Sequence, residues 1–194
     1  MSVHLEFEEA SPTQQITDKF YSWIVVEAWF SGTEEAISSS AVALEMEIHK
    51  LHASRQLDET VDRLKSLVKP VVHGGDHHHW VLFQNGPERR SSLVTFSEIG
   101  QNSDPNVNGH VHEDEKGHQW IEMVLPLEKG LVIKDEKTGE VSRLEPFKTF
   151  TIGAGMHHVT YNESEQKVRY FILRRRLIPH VPSVFARKNG INHA

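Results

Sequence analysis

Gly153-Ala154-Gly155-Met156-His157-His158-Val159-Thr160-Tyr161-Asn162 and, upstream of it, Gly109-His110-Val111-His112 bracket the strand-rich part of the chain. Side chains alternate between the faces of an extended strand, so His110 and His112 point the same way and can share one cation. One imidazole from the later stretch completes a facial set that leaves coordination positions open. Open positions mean chemistry or ligand capture, whereas a closed four-ligand cage would mean structure.

The pair alone is weak, because fourteen histidines in 194 residues yield about one His-x-His by chance, and the surroundings must decide. Between the two stretches runs Lys129-Gly130-Leu131-Val132-Ile133-Lys134-Asp135-Glu136-Lys137-Thr138-Gly139-Glu140-Val141, an apolar strand and then a polar turn with glycine where positive φ is needed. Pro146 breaks the approach to a further strand ending at Ile152. Earlier, Trp80-Val81-Leu82-Phe83-Gln84 and Ser91-Ser92-Leu93-Val94-Thr95-Phe96 flank Asn85-Gly86 and read as a hairpin. A polar loop over 100–109 then delivers the chain to the His pair.

On these residues, positions 109 to 173 resemble the cupin superfamily. Gly109, His110, His112, the strand 119–125 and Gly130 match its first motif. Gly155, His158 and Asn162 match the second, with Gly153 where proline is usual, and Leu144-x-Pro146 matches the approach to it. The resemblance implies a mainly β fold, a cupin-like antiparallel β-barrel (double-stranded β-helix). It also implies one divalent transition metal per chain, with iron(II) favoured over nickel, manganese or zinc. The superfamily hosts dioxygenases, isomerases, lyases, decarboxylases and non-enzymatic binders on one architecture, so activity does not follow from fold.

The chain departs from the family at one ligand. No Glu stands at the usual spacing after His112, where Lys116 and Gly117 fall. Gln119, Ile121, Met123 and Leu125 share one strand face, and Trp120, Glu122 and Val124 the other. The more uniformly apolar face is expected to line the barrel, which makes Gln119 the fourth donor and turns Glu122 away. A register slipped by one residue would instead make His118 or Glu122 the ligand. Spacing from Gly155 to Asn162 selects His158 over His157 as the third imidazole.

Three neutral imidazoles and an amide leave a divalent ion its full charge, which favours an anionic, chelating ligand. Three-histidine cupin dioxygenases use this logic with iron(II), so the resemblance implies oxidation of a small anionic metabolite as the leading expectation. A metal-dependent lyase or isomerase, and a non-catalytic small-molecule-binding cupin, are the alternatives. On the strand Val168 to Leu173, alternation lets Arg169 or Tyr170, but not both, look inward. Both are candidate catalytic residues, the arginine as a carboxylate partner, the tyrosine as a proton carrier.

A formal charge of −6 with both signs interspersed argues against nucleic acid as partner. No apolar run approaches a membrane span, the start of the chain lacks the regions of a signal peptide, and the absence of cysteine excludes disulfides and thiol nucleophiles. A cytoplasmic location is expected. The organisation expected is a helical segment over 1–70, a barrel domain over 71–176 and an extended tail over 177–194 that wraps a neighbouring subunit of a homodimer. Ser11-Pro12 opens a first helix with Ile16, Phe20, Trp23 and Phe30 at helical spacing, and Ser31 with Glu34 offers a capping box for a second. The second carries the stripe Ile37, Ala41, Leu44, Ile48, Leu51, and a third begins near Asp58 and uses Val61, Leu64 and Leu67 or Val68. His73 and His77-His78-His79 form a cluster around a loop at Gly74-Gly75-Asp76, and consecutive residues on a strand or loop point in different directions, which argues against convergent ligands.

Overall fold

The computed structural model describes residues 14–15, 18–22, 34–73, 76–85, 92–104, 109–110 and 120–176. Helix α1 spans Glu34–Ala53 and α2 spans Leu57–Leu67. Nine strands follow: β1 Val71–His73, β2 His77–Asn85, β3 Ser92–Ile99, β4 Trp120–Pro126, β5 Leu131–Asp135, β6 Val141–Arg143, β7 Phe150–Ile152, β8 His158–Asn162 and β9 Val168–Arg176. They form a six-stranded sheet in the order β1-β2-β3-β9-β4-β7 and a three-stranded sheet in the order β6-β5-β8, with every pairing antiparallel. This is a cupin-like, mainly β architecture.

The helices form where the apolar stripe predicts. Ala41, Leu44, Ile48 and Leu51 of α1 are buried, as are Val61 and Leu64 of α2. Asp58 and Glu59 in the first turn of α2 and Lys65 in its last complement the helix dipole. Val68 rather than Leu67 completes the stripe: Val68 packs on the core while Leu67 is 51% exposed. The Ser31 cap, the Ile37 side chain and the tail 177–194 lie outside the described residues.

Hairpin β2–β3 pairs Asn85 with Ser92 at its turn end and is displaced by one residue between Val81 and Phe83. The β5–β6 turn is built by Asp135, whose Oδ1 accepts from the backbone N–H of Lys137 at 2.7 Å and of Thr138 at 3.1 Å. Gly139 supplies the left-handed residue there at φ 75°.

Two cores lie on opposite sides of the large sheet. On one side Trp80, Leu82, Val94, Phe96, Phe171 and Leu173 pack against α1 and α2. On the other, Ile99, Val124, Ile152, Val168, Tyr170 and Ile172 meet Leu131 and Ile133 of the small sheet. Strand β4 is therefore buried along its whole length. This overturns the face assignment made from its pattern: Ile121, Met123 and Leu125 pack against the helices, while Glu122 and Val124 belong to the interior between the sheets. A helical cover made the more apolar face the outer one, leaving the mixed face to line the barrel. No helix among the described residues is long and apolar enough to cross a membrane.

Candidate functional site

The two glycine–histidine stretches are joined directly. His110 N–H donates to the His158 carbonyl and His158 N–H to the His110 carbonyl, each at 2.9 Å. Their rings lie 4.7 Å apart between centroids. His110 is exposed at the rim, whereas His158, at the start of β8, has no solvent exposure.

The turn before β8 sorts the two adjacent histidines. His158 faces the interior, its Nδ1 3.3 Å from the Met156 carbonyl and its Nε2 4.0 Å from Oε1 of Glu122. His157 points the other way and contacts the Glu136 carboxylate, both side chains partly exposed. Asn162, at the far end of β8, is a fastener. Its Nδ2 donates to the carbonyls of Gly100 at 2.9 Å and Gln166 at 2.6 Å, its Oδ1 accepts from Ser164 N–H at 2.8 Å, and its own N–H donates to Ser103 Oγ at 2.7 Å. Gly130 stands against it with φ 111°, where a Cβ would lie 2.8 Å from Asn162 Oδ1. These two motif positions shape the frame of the site.

Glu122 is 3% exposed. Its Oε2 accepts from Arg174 Nε at 3.1 Å and Nη2 at 3.0 Å, the two residues being direct cross-strand partners on β4 and β9. A buried carboxylate is tolerated because this guanidinium is fixed beside it.

Deeper in the interior, Tyr170 is 1% exposed and its hydroxyl lies 2.5 Å from His77 Nε2. Burial, and then the charge of Glu122, push its phenol well above the ordinary tyrosine range, against a lowering by the hydrogen bond with Ser97. Tyr170 is accordingly a neutral phenol at physiological pH. His79 bonds Ser97 Oγ at 2.7 Å through Nδ1 and its ring lies 4.1 Å from that of His77. The run His77-His78-His79 thus begins β2, and strand alternation sends His77 and His79 to the interior.

Arg169 is corrected. It occupies the helix-facing side of β9, where its Nη1 donates to Asp58 at 2.7 Å and its Nη2 pairs with Glu128 at 2.6 Å. Burial lowers its pKa, but Glu128 and Asp58 outweigh that and raise it. It ties α2 to the sheet and faces away from the interior, since residues alternate and Val168, Tyr170 and Ile172 line that side.

His112 and Gln119, with His118, lie outside the described residues. Among the described residues no three His, Asp or Glu side chains are gathered closely enough to hold a metal. The donor chemistry of His110, His158 and Glu122 nonetheless suits a divalent transition ion: two imidazoles and a carboxylate, with His112 two positions from His110.

No family model matches the sequence, and no curated protein matches it. Solved structures resemble the fold. The polyketide cyclase RemF from Streptomyces resistomycificus shares 19% identity at a TM-score of 0.45, over 58% of this chain and 78% of its own. A protein described as a predicted oxalate decarboxylase from Thermotoga maritima shares 16% at a TM-score of 0.47, over 58% and 96%. The Schizosaccharomyces pombe Cnp3 cupin domain shares 15% at a TM-score of 0.42, over 55% and 69%. Likenesses at this level say nothing about what the chain binds or catalyses.

Proposed function

We propose that this chain is a metal-dependent cupin enzyme acting on a small anionic molecule, with iron(II)-dependent oxidation as the reaction class. His110, His112 and His158 supply imidazoles, and Glu122 takes the donor place expected of Gln119. The observation that carries this reading is the facing of His158 Nε2 and Glu122 Oε1 across 4.0 Å of buried interior, beside the ring of His110. That separation is too long for a hydrogen bond between the two atoms, and both are donor types that such an ion prefers.

When bound, the metal would supply Lewis acidity and, as iron(II), redox chemistry. The protein's own residues do the rest. Arg174 offsets the charge of Glu122, so a divalent ion held there keeps its double charge and draws an anionic ligand. Val124, Ile133, Ile152 and Ile172 wall the interior with hydrocarbon and exclude water. Tyr170 holds a proton at its hydroxyl, which shares a hydrogen bond with His77 Nε2.

That last contact favours a second reading, a lyase or isomerase in which Tyr170 moves the proton. Metal content of untagged protein, measured by elemental analysis, tests the shared premise. Wild type is expected to carry stoichiometric metal that His158→Ala and His112→Ala lose; unchanged content in both variants would sink it. Oxygen uptake by the iron-loaded protein on small carboxylates supports oxidation, and turnover under strict anaerobiosis supports the second reading.

A further inference from the structure

We infer that Arg174 is the positioning residue of the candidate metal centre, the group that holds the Glu122 carboxylate so that one oxygen stays aimed at the cation. The inference rests on the reading of His158 and Glu122 as ligands and adds a residue to it.

The geometry is directional. Arg174 places both Nε and Nη2 on the same oxygen, Oε2, at 3.1 and 3.0 Å. Oε1 is the oxygen that faces His158 Nε2. A carboxylate on a flexible stem turns about its terminal torsion at little cost, and a guanidinium spending two donors on one oxygen removes that freedom. The clamp is carried by regular structure, since Glu122 and Arg174 are opposite one another in the β4–β9 ladder. The flanking pairs Met123–Leu173 and Ile121–Arg175 hold the register. Arg174 keeps part of its side chain, 29%, accessible, while Glu122 is at 3%. The arginine thus reaches the carboxylate from the rim and is not itself sealed within the core. Outer partners that fix a ligating carboxylate commonly control metal affinity.

Cobalt(II) alone is the probe, titrated into the purified protein and followed by its visible absorption. Arg174→Gln is expected to weaken cobalt affinity about ten- to a hundredfold, with Arg174→Lys recovering part of it. In a Glu122→Ala background the same Arg174→Gln change is expected to have no further effect, because its influence runs through Glu122. Equal affinity in Arg174→Gln and wild type, or an undiminished effect in the Glu122→Ala background, would overturn the inference while leaving the metal reading intact. A wild-type protein that takes up no cobalt would overturn the metal reading and the inference with it. Should Arg174→Gln fail to fold, Arg174→Lys decides alone: weaker cobalt binding supports the role, equal binding overturns it.

Discussion

Tyr170 and Thr95 face the same interior and should respond oppositely to losing a hydroxyl. Tyr170→Phe removes a hydrogen bond with His77 Nε2 inside the core, so stability is expected to fall by about 0.5–1.5 kcal/mol. Thr95 is 2% exposed and its Oγ1 has no hydrogen-bond partner among the described residues. Thr95→Val is therefore expected to leave stability unchanged or raise it by about 1 kcal/mol. Urea midpoints of the two variants check this, and a loss in both would mean that Thr95 is satisfied in solution. Neither environment was legible in the sequence. Alternation places Arg169 and Tyr170 on opposite faces of β9, but both faces are covered, so pattern could not say which one met the site. His158 was legible because glycine and asparagine at fixed distances frame it. Their contacts show why: Asn162 and Gly130 hold the loops around the strand that delivers this histidine.

At the scale of elements, β4 shows where pattern reading fails. Its two faces differ in polarity, and the usual rule sends the apolar one inward. That rule assumes water on the other side. Here helices occupy that side, and the stripes of α1 and α2, each legible in the sequence, already held the information that a second apolar surface must cover them. Polar contacts pin this cover as well. Glu98 on β3 receives Lys65 of α2 at 2.6 Å and Lys167 at 3.1 Å, with Lys65 also lying 4.8 Å above the Trp80 ring. Burial alone would raise the Glu98 pKa, but the two lysines outweigh it and hold the carboxyl below its ordinary 4.5. A carboxyl whose folded pKa is depressed contributes stability that is complete above its unfolded value and lost as pH falls through the folded one. The urea midpoint of wild type should thus decline on acidification below the ordinary carboxylate range, and Glu98→Gln should flatten that part of the profile. Parallel profiles for the two proteins would remove Glu98 from the acid response.

The described residues form a large sheet with a core on each side, the small sheet closing one of them, and the two cores share β3, β4 and β9 as a common wall. The wall makes the helices part of the site's mechanics although they contribute no residue to it. Phe96 and Phe171, both without exposure, stack edge to face on the helix side, their ring centroids 5.2 Å apart. Ser97 and Tyr170, the next residues along the same strands, carry the interior polar groups. A strand cannot shift on one face while holding still on the other, because successive side chains hang from one backbone. Loosening the helix contact should therefore loosen the interior. Ile48 on α1 is fully buried, and Ile48→Ala is expected to cost about 2–5 kcal/mol through lost burial and the cavity left behind. If wall and cover form a single cooperative unit, the helical circular dichroism and the near-ultraviolet signal of the packed aromatics will fall together in urea, in wild type and variant alike. An early loss of helix with the aromatic signal retained would show instead that the barrel stands without its cover, and that the burial of β4's apolar face is not what holds Glu122 in place.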